Sequence, residues 1–269
     1  MTWLQSLYRK RFEQVMAARS LTDLSQSAIV FAPHPDDETL GCGGTILRKK
    51  AAGAAVKIVF VTDGSRSHAA LMAEAELRTV REREALAAAA ALGIAATDVT
   101  FLGFGDGRLT ENLTAAIEKI REFLQENPAA EIFIPSHLET PPDHALTGQA
   151  VLAALAQLSL TPDIYAYPIW YWHQWPWVPL RKGGGKRKFL EQLKTIFTSK
   201  LGTTIFSDFQ HAVHIQPVLS QKRVALNQHA SQMRKPEAMP QWPTLTEVGQ
   251  GDFLDCFFQN YEIFHSPPK

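Results

Sequence analysis

Ala28-Ile29-Val30-Phe31-Ala32-Pro33-His34-Pro35-Asp36-Asp37-Glu38 joins a short apolar run to a dense polar turn. A short apolar run cut off by two prolines reads as a strand buried within a sheet. Working outward, Gly41-Cys42-Gly43-Gly44 leads to a helix expected over Thr45–Ala52 with Gly53 as its stop. Val56–Val61 reads as a second strand ending at Thr62-Asp63-Gly64, followed by an Ala-, Glu- and Arg-rich helix to Leu92-Gly93. Asp98–Leu102 is the third expected strand, and Leu113–Gln125 is a helix with apolar residues at 113, 116, 117, 120, 123 and 124. Glu131–Pro135 is the fourth strand, and His144 opens a helix to about Leu158. Strands alternating with helices predict an α/β fold: a mostly parallel sheet with helices on both faces. Sites in such sheets form at the carboxyl ends of the strands, where the polar clusters of this chain fall.

From about Pro162 the composition changes. Tyr165–Trp177 is dense in aromatics, including Trp170, Trp172, Trp175 and Trp177, and the basic run Arg181–Lys188 holds a glycine triplet. His211–Ile215 reads as a strand and Val218–Met233 as a helix. The expectation is one domain, with a core over about 27–160 and a C-terminal cap or edge elaboration over about 161–269. The tryptophans either pack within the protein or at an oligomer contact, or they stack on sugar rings or rest peripherally at a membrane interface. The basic run is either solvated or meets an anionic glycan.

The chain has 269 residues, 45% hydrophobic and 20% charged, which is globular composition. Lys+Arg and Asp+Glu are both 27, giving a formal net charge of zero and no broad cationic surface, so no nucleic-acid partner is expected. With only 2 cysteines, Cys42 and Cys256, a metal here needs histidine and carboxylate ligands. The N-terminal stretch reads as an amphipathic helix without the apolar core of a signal peptide. No window approaches the ~20 apolar residues of a membrane span. A soluble cytoplasmic protein is the expectation.

His34-Pro35-Asp36-Asp37-Glu38 concentrates an imidazole and three acids in one turn, which is costly unless a cation is bound. His34 and Asp37, three apart, can aim at one point while Asp36 stays free. A divalent ion with mixed nitrogen and oxygen ligands suits the set. A third ligand is offered by His144 in Pro141-Pro142-Asp143-His144 after the fourth strand. Asp143 either orients an imidazole from behind or caps the helix. Taken singly, each cluster is also an ordinary acidic turn or helix cap. Their shared position after strands of one sheet favours a metal site.

Ala32 to Gly44, APHPDDETLGCGG, closely resembles the signature of the PIG-L/LmbE-like zinc deacetylases, which remove acetyl groups from N-acetylglucosamine-type sugars. The resemblance extends through Thr62-Asp63-Gly64, Arg81 to Ala85, Phe101-Leu102-Gly103, Asp106-Gly107 and Asp143-His144, and recurs from Lys222 to Gln232. It implies a Rossmann-like fold, one zinc ion on His34, Asp37 and His144, and Asp36 as general base. It also implies a substrate contact from Arg81, the alternative being a helix salt bridge with Glu84 or Glu82, while Asp106 either accepts hydrogen bonds from sugar hydroxyls or serves the Gly105-Asp106-Gly107 turn. Many relatives carry a histidine where this chain has Pro141. That leaves His229 as the expected acid or oxyanion donor, and His137 as second choice. Zinc would supply a water of pKa near ~7 and polarise the carbonyl, with Asp36 moving the proton. Homo-oligomers occur among such relatives, and an amino-sugar or glycoconjugate is the expected partner. Two further readings stand beside this one: an amidase for a larger N-acyl group, and a glycan-binding protein that keeps the fold with an idle site.

Overall fold

The computed structural model describes residues 3–178 and 202–267. Its centre is a parallel sheet of β1 (Ala28–Ala32), β2 (Val56–Thr62), β3 (Val99–Phe104), β4 (Glu131–Pro135) and β5 (Asp163–Tyr167), in the order β3-β2-β1-β4-β5. Ala28 is in register with Val56 on one side and Glu131 on the other. Side chains alternate across each strand. Ala28, Val30 and Ala32 enter one apolar layer, while Ile29 and Phe31 enter the other. The helices α1 (Trp3–Ala17), α2 (Asp37–Ala51) and α3 (Glu74–Ala91) supply Phe12, Ile46 and Ala85 to the first layer. The second layer is closed by α4 (Leu113–Glu126) and α5 (Pro142–Leu155) through Ile120, Leu124, Val151 and Ala154. Both faces of the sheet are therefore buried, which is why its strands read as continuous apolar runs.

The helix expected from Thr45 begins at Asp37, so Gly41, Gly43 and Gly44 lie inside it. Glycine is a poor helix former, but close packing requires it here. A Cβ at Gly41 would run into the ring of Tyr167, and one at Gly44 into Ile215. The fifth strand extends the sheet beyond residue 160. Its edge receives the later chain, where Ala166 and His265 exchange backbone hydrogen bonds of 2.8 and 3.0 Å. Beyond it come α6 (Thr204–Asp208), β6 (His211–His214), α7 (Leu219–Leu226), α8 (Ala230–Met233), α9 (Asp252–Asp255) and β7 (Tyr261–Phe264), with β6 and β7 antiparallel. The single helix expected over Val218–Met233 is divided into α7 and α8 by a break that contains His229.

A buried ion pair joins this late chain to α2. Lys222 Nζ on α7 lies 2.7 Å from Glu262 Oε1 on β7 and donates to the carbonyl of Leu40 at 2.8 Å. Glu262 in turn accepts the N–H groups of Gly44 and Thr45, each at 2.7 Å. Trp172 and Trp177 are 3% and 2% exposed and pack with each other and with Phe12. These two tryptophans are core, not a sugar platform. The basic run Arg181–Lys188 lies outside the described residues.

Candidate metal centre and substrate pocket

β1 and β4 are neighbours in the sheet, and the chain order reverses between them, the place where open α/β sheets bind ligands. His34 follows β1, Asp37 opens α2, and His144 lies in the first turn of α5 after β4. The sheet thus brings together residues more than a hundred positions apart in sequence. Asp37 Oδ2 lies 3.2 Å from His34 Nδ1 and 3.4 Å from His144 Nε2. One ligand atom from each of the three falls within 4.8 Å of the others. Burial pushes the Asp37 carboxyl up, but the imidazoles of His144 and His34 outweigh it and hold the group below its ordinary value. One buried and one part-buried imidazole converging on an ionised carboxylate form a donor set that fits a borderline divalent cation.

The other ring nitrogen of His34 faces two more acids. Nε2 lies 3.1 Å from Asp106 Oδ1 and 3.5 Å from Asp143 Oδ2. Burial opposes charge on His34, yet Asp106, Asp143 and Asp37 together raise its pKa well above the ordinary imidazole value. Burial likewise pushes Asp106 up, but the hydrogen bond with His34 and the Arg66 N–H carry it down to about 2. Asp143 Oδ2 also accepts the Gly107 N–H at 2.6 Å. His34, Asp106 and Asp143 are a second cluster within ligand distance, sharing His34 with the first through its opposite nitrogen.

Asp36 stands beside the cluster and lines the same cavity. Its backbone has φ +140°, a conformation that costs a non-glycine residue ~1–3 kcal/mol and persists only where neighbours impose it. Glu38 Oε2 accepts the Asp36 N–H at 2.9 Å, while Glu38 Oε1 faces His229 Nε2 at 2.9 Å. From the other side Arg81 Nη2 lies 3.1 Å from Asp36 Oδ2 and also donates to the carbonyl of Pro35. Burial raises the Asp36 pKa to about 6, against the pull of the Arg81 guanidinium. Arg81 Nη1 donates to the carbonyl of Gly64 at 3.0 Å. The guanidinium is thus engaged by the protein itself, although Arg81 does line the cavity. His229 is 1% exposed and sits behind the cavity wall, not on it. His137 is exposed; its ring packs edge-on against His265 beside a separate apolar groove.

The cavity holds about 480 Å³. Its lining is polar at Arg66, Ser67, Asp106 and Gln232 and apolar at Ile169, Trp170, Leu245 and Phe253. Trp170 stacks on Phe253 at 5.0 Å between ring centroids. The sequence reading left the apolar lining unassigned apart from Trp170, and it missed Glu139. That carboxylate is buried behind His144, with Oε2 3.3 Å from Nδ1. The only sequence cue was an acid between β4 and the Pro141-Pro142 pair.

Residues 29–155 match the family described as PIG-L: GlcNAc-PI de-N-acetylase. A 1D-myo-inositol 2-acetamido-2-deoxy-alpha-D-glucopyranoside deacetylase of Rhodococcus erythropolis is 28% identical over 247 residues, 79% of this chain and 83% of the relative. A probable N-acetyl-alpha-D-glucosaminyl L-malate deacetylase 2 of Bacillus cereus is 33% identical over 142 residues, 50% of this chain and 63% of the relative. Among solved structures, the N,N'-diacetylchitobiose deacetylase from Pyrococcus horikoshii shares the fold with a TM-score of 0.62 and 19% identity, covering 100% of this chain and 94% of that one. Together with the His34, Asp37 and His144 cluster at the sheet's switch point, these likenesses make the chain, through residues 29–155, similar to the PIG-L family.

Proposed function

We propose that the protein is a zinc-dependent hydrolase that removes an N-acetyl group from an N-acetylglucosamine-type sugar or glycoconjugate. The observation that carries this reading is the convergence of His34, Asp37 and His144 beside a buried Asp36 that lies outside this cluster and lines the same cavity. Of the two clusters that share His34, the one with two imidazoles and one carboxylate suits zinc better than the one with two carboxylates. When bound, zinc would supply Lewis-acid polarisation of the amide carbonyl and activation of a water.

The remaining work falls to the chain. Asp36 takes the proton from the attacking water and returns it to the leaving amine, a task suited to a carboxylate whose affinity for protons is raised by burial. Arg81 and Glu38 fix Asp36 from side chain and backbone respectively, and His229 steadies Glu38. In this reading His229 is a positioning residue. Asp106 and Asp143 hold the His34 ring through Nε2, and Asp106, on the cavity wall, also meets sugar hydroxyls. The buried free thiols Cys42 and Cys256 suit the cytoplasm as the working compartment. Among the described residues no helix is long and apolar enough to cross a membrane.

A second reading, cleavage of a larger N-acyl group, is favoured by the apolar lining of Ile169, Trp170, Leu245 and Phe253. One experiment addresses both. The purified protein is stripped, reloaded with zinc and offered a panel of sugars bearing N-acetyl or longer N-acyl groups, with the released acid measured. Zinc-dependent acetate release, lost in His34→Ala and His144→Ala together with the metal, is the expected result. Full metal content in those variants, or release of longer acids only, overturns the proposal.

A further inference from the structure

Glu139 lies in the turn between β4 and α5, and its side chain is 0% exposed. Withdrawing a carboxylate that far from water costs several kcal/mol unless its oxygens find donors. They find three, from consecutive residues after β5. Oε1 accepts the N–H groups of Ile169 at 2.8 Å and Tyr171 at 3.2 Å, and Oε2 accepts that of Trp170 at 2.7 Å. Oε2 is also the atom that lies 3.3 Å from His144 Nδ1. That nitrogen is buried and makes no hydrogen bond of good geometry, so the carboxylate facing it is its available acceptor.

We propose that Glu139 is a positioning residue that couples the metal-binding imidazole of His144 to the aromatic wall of the cavity at Trp170; the inference rests on the metal-dependent reading above. A proton on Nδ1 directed at Oε2 leaves the lone pair on Nε2, the nitrogen that faces Asp37. A carboxylate behind a ligand imidazole fixes its tautomer and ring angle. The same oxygen anchors the backbone of Trp170, whose indole stacks on Phe253 and lines the cavity. Aromatic faces of this kind receive the apolar face of a pyranose ring. One side chain therefore sets both where the metal is held and where the sugar rests.

The test uses Glu139→Gln, which keeps the shape and removes the charge. Zinc affinity is measured by competition with a chromogenic chelator. Trp170 is followed as the part of the tryptophan emission lost in a Trp170→Phe background. Steady-state kinetics use N,N'-diacetylchitobiose as probe. Glu139→Gln is expected to weaken zinc binding by ~10–100-fold, to shift the Trp170 emission, and to raise KM at saturating zinc. Trp170→Ala should raise KM while zinc affinity stays at the parental value. Parental zinc affinity in Glu139→Gln overturns the proposal, as does weakened zinc binding with unchanged Trp170 emission. Should Glu139→Gln fail to fold, Glu139→Asp, which withdraws the charge by one methylene, carries the same expectations and the same refutation. If no sugar is hydrolysed the proposed function falls, while the zinc titration and the emission still decide the role of Glu139.

Discussion

Arg81 Nη2 lies 3.1 Å from Asp36 Oδ2, and both side chains are almost wholly buried. The guanidinium stabilises the ionised carboxylate while burial works against it, and burial prevails. Replacing Asp36 with Asn removes the proposed proton acceptor but leaves His34, Asp37 and His144 in place. We expect Asp36→Asn to retain its zinc and to lose ~10²–10⁴ in kcat. Metal analysis beside steady-state kinetics checks this, and loss of zinc would assign Asp36 to the ligand set.

Gly64 has φ +61°, and a Cβ there would meet the Arg81 guanidinium. Gly64→Ala should destabilise the protein by more than ~1 kcal/mol, because alanine is strained in this backbone region and has no room. It should also displace Arg81 from Asp36 and lower kcat. Urea denaturation and kinetics on the same preparation test both; unchanged stability would refute the packing argument.

Trp172 and Trp170 should separate cleanly. Trp172→Ala removes a buried core side chain and is expected to cost ~3–5 kcal/mol of stability. Trp170→Ala, at the cavity wall, should cost less and appear mainly in KM. Thermal unfolding and kinetics on both variants read the difference.

His68, which is not one of the candidate ligands, gives a dependence of stability on pH. Its ring stacks on Trp242 at 4.0 Å and its Nε2 lies 2.8 Å from the carbonyl of Pro243. Burial lowers its pKa from 6.5, outweighing the hydrogen bond to Pro243, with Arg81 acting with burial and Glu84 against it. Between the lowered folded value and 6.5 the unfolded chain binds more protons, so stability rises with pH across that interval. The contribution is complete above pH 6.5 and is lost as pH falls towards the folded value. His68→Phe keeps a ring on Trp242 and should flatten this part of the stability profile, measured by urea titration at several pH values. An unchanged slope would count against His68 as its source.

Legibility in the sequence followed range. His34 and Asp37 share a turn, and His144 follows an obvious strand, so local pattern and the parallel-sheet rule sufficed to bring them together. The start of α2 was hidden because Gly41 and Gly44 lower helix propensity, and their reason for being glycine is Tyr167 and Ile215, far along the chain. β5 was concealed in an aromatic stretch whose strand character comes from pairing with β4. Glu139 looked like any acid in a loop, since its partners are backbone N–H groups some 30 residues later. Trp172 and Trp170 are two positions apart and have opposite surroundings, a distinction that composition does not carry.

The Lys222 and Glu262 pair bears on the order in which the protein can be completed during synthesis. Gly44 and Thr45 donate to an acceptor 218 and 217 residues downstream, so this clamp on the middle of the helix that begins with Asp37 closes only after Glu262 has left the ribosome. A fragment cut to residues 29–155 contains His34, Asp37 and His144 but neither member of this clamp, nor β5, which pairs with the outer side of β4. Such a fragment carries the candidate ligand residues without the Lys222 and Glu262 clamp on the helix that bears Asp37, and a nascent chain is in the same position until β7 arrives.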